Sequence, residues 1–106
     1  MALVRKNMSF SKLTSTSADI YSPSSTDGLV HNITLHNGNA TTETVILNYN
    51  NGSDEYPIFN MSLTANETVI LQYGNEGLYV EDAGKITGYA TTTSYVTCKM
   101  DGTEEA

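Results

Sequence analysis

Glu43-Thr44-Val45-Ile46-Leu47-Asn48-Tyr49 returns 24 residues later as Glu67-Thr68-Val69-Ile70-Leu71-Gln72-Tyr73. In each copy the first, third and fifth residues after the Thr (Val45, Leu47, Tyr49; Val69, Leu71, Tyr73) share one side of an extended chain. Period two with one apolar side is the requirement of a half-buried antiparallel strand. Two copies are too few for a solenoid, which needs about three repeats to bury a core. The echo therefore predicts two strands in similar surroundings, each entering from a turn with an exposed Glu and closing on an inward Tyr.

The same grammar extends outward from this pair. Leu29, Ile33 and Leu35 fall on one face of residues 29–36 together with His31, and Phe59, Met61 and Leu63 on one face of residues 57–63. Segments 77–80, 85–91 and 95–100 follow, the last with Val96, Cys98 and Met100 in register, and a weaker strand covers Ala18–Tyr21. Asp27-Gly28, Asn37-Gly38, Asn51-Gly52 and Asp101-Gly102 each offer a turn a residue tolerant of positive φ. Loops are expected at Asn50–Asp54 and Thr64–Asn66, and Pro57 stands at a strand start, where a missing amide is tolerated. No stretch carries a helical stripe. The fold class is all-β: an antiparallel β-sandwich of about seven or eight strands, with jelly-roll-like and immunoglobulin-like topologies both open.

A chain of 106 residues fits one domain. Charged residues make up 16%, against roughly 25% in ordinary globular domains. Ser and Thr supply 25 residues and Asn ten, so the polar surface is hydroxyl and amide more than ionic. Six Asn-x-Ser/Thr triplets, at Asn7, Asn32, Asn39, Asn51, Asn60 and Asn66, read as a product of that composition. The formal net charge of −7 argues against a nucleic-acid partner, because phosphate neutralisation needs Lys and Arg.

The charge is unevenly placed. Arg5, Lys6 and Lys12 lie in the first twelve residues with no acid among them, whereas the rest holds 12 acids against Lys85 and Lys99, a formal −10. This divides the chain into an extended polar and basic N-terminal arm over 1–17, a sandwich over 18–102 and an acidic flexible tail over 103–106. The N-terminal residues lack the apolar core of a signal peptide, and no run approaches the ~20 apolar residues of a membrane span. The expectation is a soluble, cytosol-made protein with no membrane partner.

Catalytic and metal-binding patterns do not emerge. Cys98 stands alone in an alternating apolar stretch and reads as a small buried hydrophobe. His31 and His36 are five apart on one strand, which sends them to opposite faces. The acidic pairs Asp54-Glu55 and Glu81-Asp82 fall in loops without forming a complete Ca²⁺-binding loop. No cofactor, metal or catalytic residue is expected. Seven Tyr and no Trp remain. Tyr49 and Tyr73 read as core, and Tyr89 and Tyr95 as outward residues available to a neighbouring subunit, since Tyr combines apolar area with a hydrogen-bonding tip.

From Ala18 to Gly102, about four-fifths of the chain, the ordered segments resemble the small β-sandwich virion proteins of tailed bacteriophages. The resemblance is carried by Ala-Asp-Ile-Tyr-Ser-Pro (18–23), Val-His-Asn-Ile-Thr-Leu-His-Asn (30–37), the Thr-rich strand at 42–49, Leu-Thr-Ala-Asn-Glu-Thr-Val (63–69), Leu-Tyr-Val-Glu-Asp-Ala-Gly-Lys-Ile (78–86) and Tyr-Val-Thr-Cys-Lys-Met (95–100). It departs at Gly84-Lys85, where members of the family tend to carry Gly-Asp. The resemblance implies a non-enzymatic capsid decoration or cement subunit, made in the host cytoplasm and residing in the virion. Its partners would be the major capsid protein or other virion proteins, and it would be a homo-oligomer with a trimer favoured. Arg5, Lys6, Phe10 and Lys12 of the arm, with Tyr89 and Tyr95, are the expected interface residues. Neck, tail or fibre placement is the variant of this reading. A different class is a carbohydrate- or receptor-binding module, built on the loops at Asn50–Glu55 and Thr91–Ser94 with Tyr56 and Tyr95.

Overall fold

The computed structural model describes the backbone of residues 3–105 and the side chains of residues 8–104. The described residues contain no helix and nine strands: β1 (Leu3–Lys12), β2 (Ala18–Tyr21), β3 (Gly28–Asn37), β4 (Glu43–Asn50), β5 (Glu55–Leu63), β6 (Thr68–Gln72), β7 (Leu78–Val80), β8 (Lys85–Ala90) and β9 (Val96–Glu105). They form two antiparallel sheets. The first runs β1-β9-β3-β6, with β7 pairing the start of β3 beyond β6, and the second runs β2-β8-β4-β5. The molecule measures 45 × 26 × 18 Å, the thickness of two layers.

The core is where the two apolar faces meet, a β-sandwich-like arrangement. Val30, Ile33, Leu35, Val96, Cys98 and Met100 come from the first sheet, and Val45, Leu47, Phe59, Leu63 and Ile86 from the second, in one buried cluster. Each fully buried aliphatic side chain stabilises the fold by about 1.5–3 kcal/mol relative to exposure. Cross-strand partners match this division: Ile33 lies between Leu71 and Met100, and Leu47 between Phe59 and Gly88.

Bulges set details that strict alternation misses. An extra residue in β3 between Val30 and Asn32 puts Val30 into the core, leaving Leu29 half-buried rather than inward. His31 is the extra residue of this bulge, so the five-residue spacing alone does not fix which faces the two histidines take. His31 bonds the Gly74 carbonyl through Nδ1 at 2.8 Å, and His36 Nδ1 lies 2.8 Å from Thr68 Oγ1.

Both chain ends differ from expectation. Leu3–Lys12, read as part of an arm, is a ten-residue strand paired with β9, with a bulge between Asn7 and Ser9. Leu13 follows it into the core at 3% exposure, so the compact unit begins well before Ala18. Thr103–Glu105, read as a flexible tail, belong to β9 and pair with Leu3–Arg5; Ala106 lies outside the described residues. The physical reason is shared: β9 is interior to its sheet, and a ten-residue strand with both edges paired holds its neighbours in extended form.

Of the four expected turn glycines, only Gly52 has a positive φ, at 100°. There Asn51 Oδ1 accepts from the Ser53 and Asp54 amides and closes the β4–β5 hairpin. Gly28 opens β3 and Gly102 lies inside β9; both are glycine because something occupies the space a Cβ would need.

Candidate functional site

Among the described residues no group of three His, Cys, Asp or Glu side chains is placed to hold a metal ion. The polar groups that are buried serve the loops. Asn37, fully buried at the end of β3, donates through Nδ2 to the carbonyls of Thr41, Leu63 and Thr64 at 2.9–3.1 Å and accepts the Asn39 amide on Oδ1. Glu43, expected at an exposed turn, is only 1% exposed; its carboxylate accepts from Asn39 Nδ2 at 3.0 Å and from the Thr92 amide at 2.8 Å. Glu67, its counterpart in the echo, caps its own turn by accepting from the Thr64 amide at 2.8 Å. These carboxylates are acceptors for loop donors, a structural use of their charge.

The tyrosines divide differently from the sequence reading. Tyr21 is core at 5% exposure, and its hydroxyl donates to Glu104. Burial, the hydrogen bond to Glu104 and the charge of Glu104 all push its pKa up. Tyr49 and Tyr73 are half-buried, and burial raises the pKa of Tyr73. Tyr56, Tyr79 and Tyr95 are about half exposed, with Tyr79 donating to Asp27 Oδ2 at 2.9 Å.

The loops offered for sugar binding do not come together. Asn50–Glu55 lies at one end of β4, and Thr91 at the other, where its amide bonds the Thr44 carbonyl. Tyr56 and Tyr95 go with their loops to opposite ends of the sandwich.

Of the expected interface residues, Phe10 and Lys12 share the solvent face of the first sheet, with Phe10 66% exposed. Tyr89 stands on the other layer, half-buried and opposite Ile46, and Tyr95 is in the β8–β9 loop. Arg5 and Lys6 pair with Thr103 and Gly102 through the backbone, and their side chains lie outside those described.

The register makes the solvent face of the first sheet a set of rows. One row reads Phe10–Lys99–Thr34–Ile70 across β1, β9, β3 and β6. The next reads Lys12–Thr97–His36–Thr68, and on the other side Asp101, Asn32 and Gln72 stand in line. Lys99 and Asp101 form an ion pair of 3.4 Å along β9, a solvated pair worth little by itself. Ile70, 55% exposed, is a surface residue missed from sequence. Its signal was present: in Val69-Ile70-Leu71 a period-two strand that buries the outer two must present the middle one to solvent. Ile46 between Val45 and Leu47 obeys the same rule, although it is covered in part by its neighbours.

Comparison of the chain with known protein families, with curated proteins and with solved structures finds no match.

Proposed function

We propose that this chain is a non-enzymatic structural protein of a virus particle, of the decoration or cement type, acting by joining protein surfaces. The observation that carries this reading is the strand order. With β7 set aside as an insertion at the edge of β3, eight strands divide into β1-β9-β3-β6 and β2-β8-β4-β5. We read this order as jelly-roll-like: the first and last strands are neighbours and each sheet mixes early with late strands. Jelly rolls build viral capsid and lectin domains, among others.

The surface favours the first of these uses. Large apolar side chains stand exposed on an open sheet face, whereas the loops that would cradle a sugar lie at opposite ends. The buried carboxylate of Glu43 is consumed by loop donors, which leaves it no free role in general acid or base chemistry. A subunit of this kind stabilises a shell by adding interface area across subunit junctions, and binding to the assembled state raises its stability by mass action.

The test is to add the purified protein to expanded capsids of a tailed phage that encodes it. Saturable co-sedimentation and a raised capsid melting temperature are the expected results. Failure to bind any shell, neck or tail fraction, together with a specific glycan-array signal, would replace this reading with the carbohydrate-binding one.

A further inference from the structure

We infer that the solvent face of the β1-β9-β3-β6 sheet is a self-association surface, on which a second copy of this chain packs about a two-fold axis running along the strands between β9 and β3. The face itself carries this, independently of any virion role.

The central row, Phe10–Lys99–Thr34–Ile70, runs apolar, polar, polar, apolar across four strands. Its two ends are 66% and 55% exposed, and three strand spacings put them about 14 Å apart, too far to cover each other. A two-fold axis along the strands turns each row onto itself, end for end. Phe10 then meets the second copy's Ile70, and Ile70 meets its Phe10, so that one operation covers four exposed apolar side chains. This is the self-complementarity an isologous interface requires.

Charge chooses between the possible axes. In these rows every described side chain with a formal charge lies on β1 or β9, namely Lys12, Lys99 and Asp101. The β3 and β6 positions opposite them are Asn32, Thr34, His36, Thr68, Ile70 and Gln72. With the axis along the strands, Lys99 falls on Thr34, Asp101 on Asn32 and Lys12 on Thr68 of the second copy. With the axis along the central row, Lys99 falls directly on Lys99; with the axis along the strands the two Lys99 stand about 5 Å to the side of each other, each beside its own Asp101, a milder like-charge approach. β6 spans five residues and the other three strands ten, so the face is about 20 Å wide over half its length and about 14 Å over the rest, roughly 550 Å² per copy or about 1,100 Å² in all, just above the ~1,000 Å² a specific interface should clear. Two twisted sheets packed face to face cross at about −30°, which a two-fold axis close to the strand direction permits. The pattern calls for a dimer, in place of the trimer that the phage resemblance favours.

The test is sedimentation equilibrium on the full chain and on two variants, Phe10→Asp and Ile70→Lys. The wild type should be a reversible dimer, and each variant alone should weaken dimerisation by at least about tenfold, because each homodimer then carries two mismatched contacts. Phe10→Ser, which introduces no charge, should weaken it in the same direction. An equimolar mixture of Phe10→Asp and Ile70→Lys should recover dimers. In that heterodimer the introduced carboxylate meets the introduced ammonium at one contact, and the other contact keeps Phe10 on Ile70. Recovery also shows that both variants are folded. A wild type that stays monomeric at hundreds of micromolar or forms a trimer would overturn the inference. So would a dimer indifferent to both substitutions, or a mixture no tighter than its parts.

Discussion

The Tyr21 hydroxyl on β2 donates to the Glu104 carboxylate on β9, tying the edge of one sheet to an interior strand of the other. Gly28 stands against this pair: a Cβ there would lie 2.3 Å from the Tyr21 hydroxyl oxygen. The residue before it, Asp27, holds the adjoining loop by accepting from the Tyr79 hydroxyl and the Asp82 amide. Glycine at the start of β3 thus makes room for an aromatic tether between layers. Asp27-Gly28 resembles a turn signal in sequence only because the two needs coincide in one dipeptide.

This tether gives a pH dependence with a definite sign. Folding raises the Tyr21 pKa above its ordinary value of 10.0, through burial first and then the bond to and charge of Glu104. A group whose pKa is raised by folding contributes its full stability below the unfolded value and loses it as pH climbs toward the folded one. Melting temperatures should therefore hold up to about pH 10 and fall above it. Tyr21→Phe should flatten part of that alkaline fall while lowering stability at pH 7 by roughly 1.5–3 kcal/mol, the range for a hydrogen bond to a charged group. Denaturant titrations of both proteins at pH 7 and pH 10.5 read both effects.

Two glycines should respond to alanine with losses of very different size. At Gly102 a Cβ would sit 1.9 Å from the Leu29 carbonyl oxygen, on backbone held by the β3 bulge and unable to move aside. Gly102→Ala should cost more than about 4 kcal/mol and leave little folded protein. At Gly74, with φ of +72°, nothing lies within 4 Å of the added atom. Gly74→Ala should cost only about 1–2 kcal/mol, the strain of a left-handed backbone. Soluble yield and urea midpoints separate the two.

The two copies of Glu-Thr-Val-Ile-Leu show what the sequence could and could not disclose. Period two places Val45, Leu47, Val69 and Leu71 inward, and all four line or adjoin the core. Hydrophobicity within one strand was enough for that. It misplaced Glu43, expected exposed, because burial there depends on Asn39 and the Thr92 amide, four and 49 residues away. Nor did it find β1, whose bulge breaks the alternation and whose Phe10 points to solvent. The row Phe10–Lys99–Thr34–Ile70 joins four strands, and its register depends on bulges that no single segment reveals.

The buried loop hub should be intolerant of small polar changes. Asn37→Asp would replace an amide donor that serves three carbonyls with a carboxylate facing the same oxygens, a repulsion in a site shielded from water. A loss of at least about 3 kcal/mol is expected, in the range for an uncompensated buried charge. Glu43→Gln keeps the shape but has one acceptor oxygen for two donors, so its NH₂ must face either Asn39 Nδ2 or the Thr92 amide. That conflict should cost about 1–3 kcal/mol. Chemical denaturation of the two variants against the wild type decides both.

Cys98 supplies a probe of the whole fold. Its side chain is fully buried in the core beneath β9, and burial pushes the thiol pKa up to about 12 from an ordinary 9.0. Thiol reagents attack the thiolate, so at pH 8 the native thiol is held almost wholly in its unreactive protonated form and is also shielded from solvent. Labelling at pH 8 should be slower than in denaturant by at least about a thousandfold. Its rate should rise with urea along the global unfolding curve, since β9 is paired on both edges and opens only when the sandwich does. Leu35→Ala removes the side chain paired with Cys98 on β3, leaving a cavity worth about 2–5 kcal/mol. It should accelerate labelling by the factor that its loss of stability dictates. Rapid labelling of the wild type in buffer, with no response to Leu35→Ala, would mean that β9 opens locally and that the two layers are not one cooperative unit.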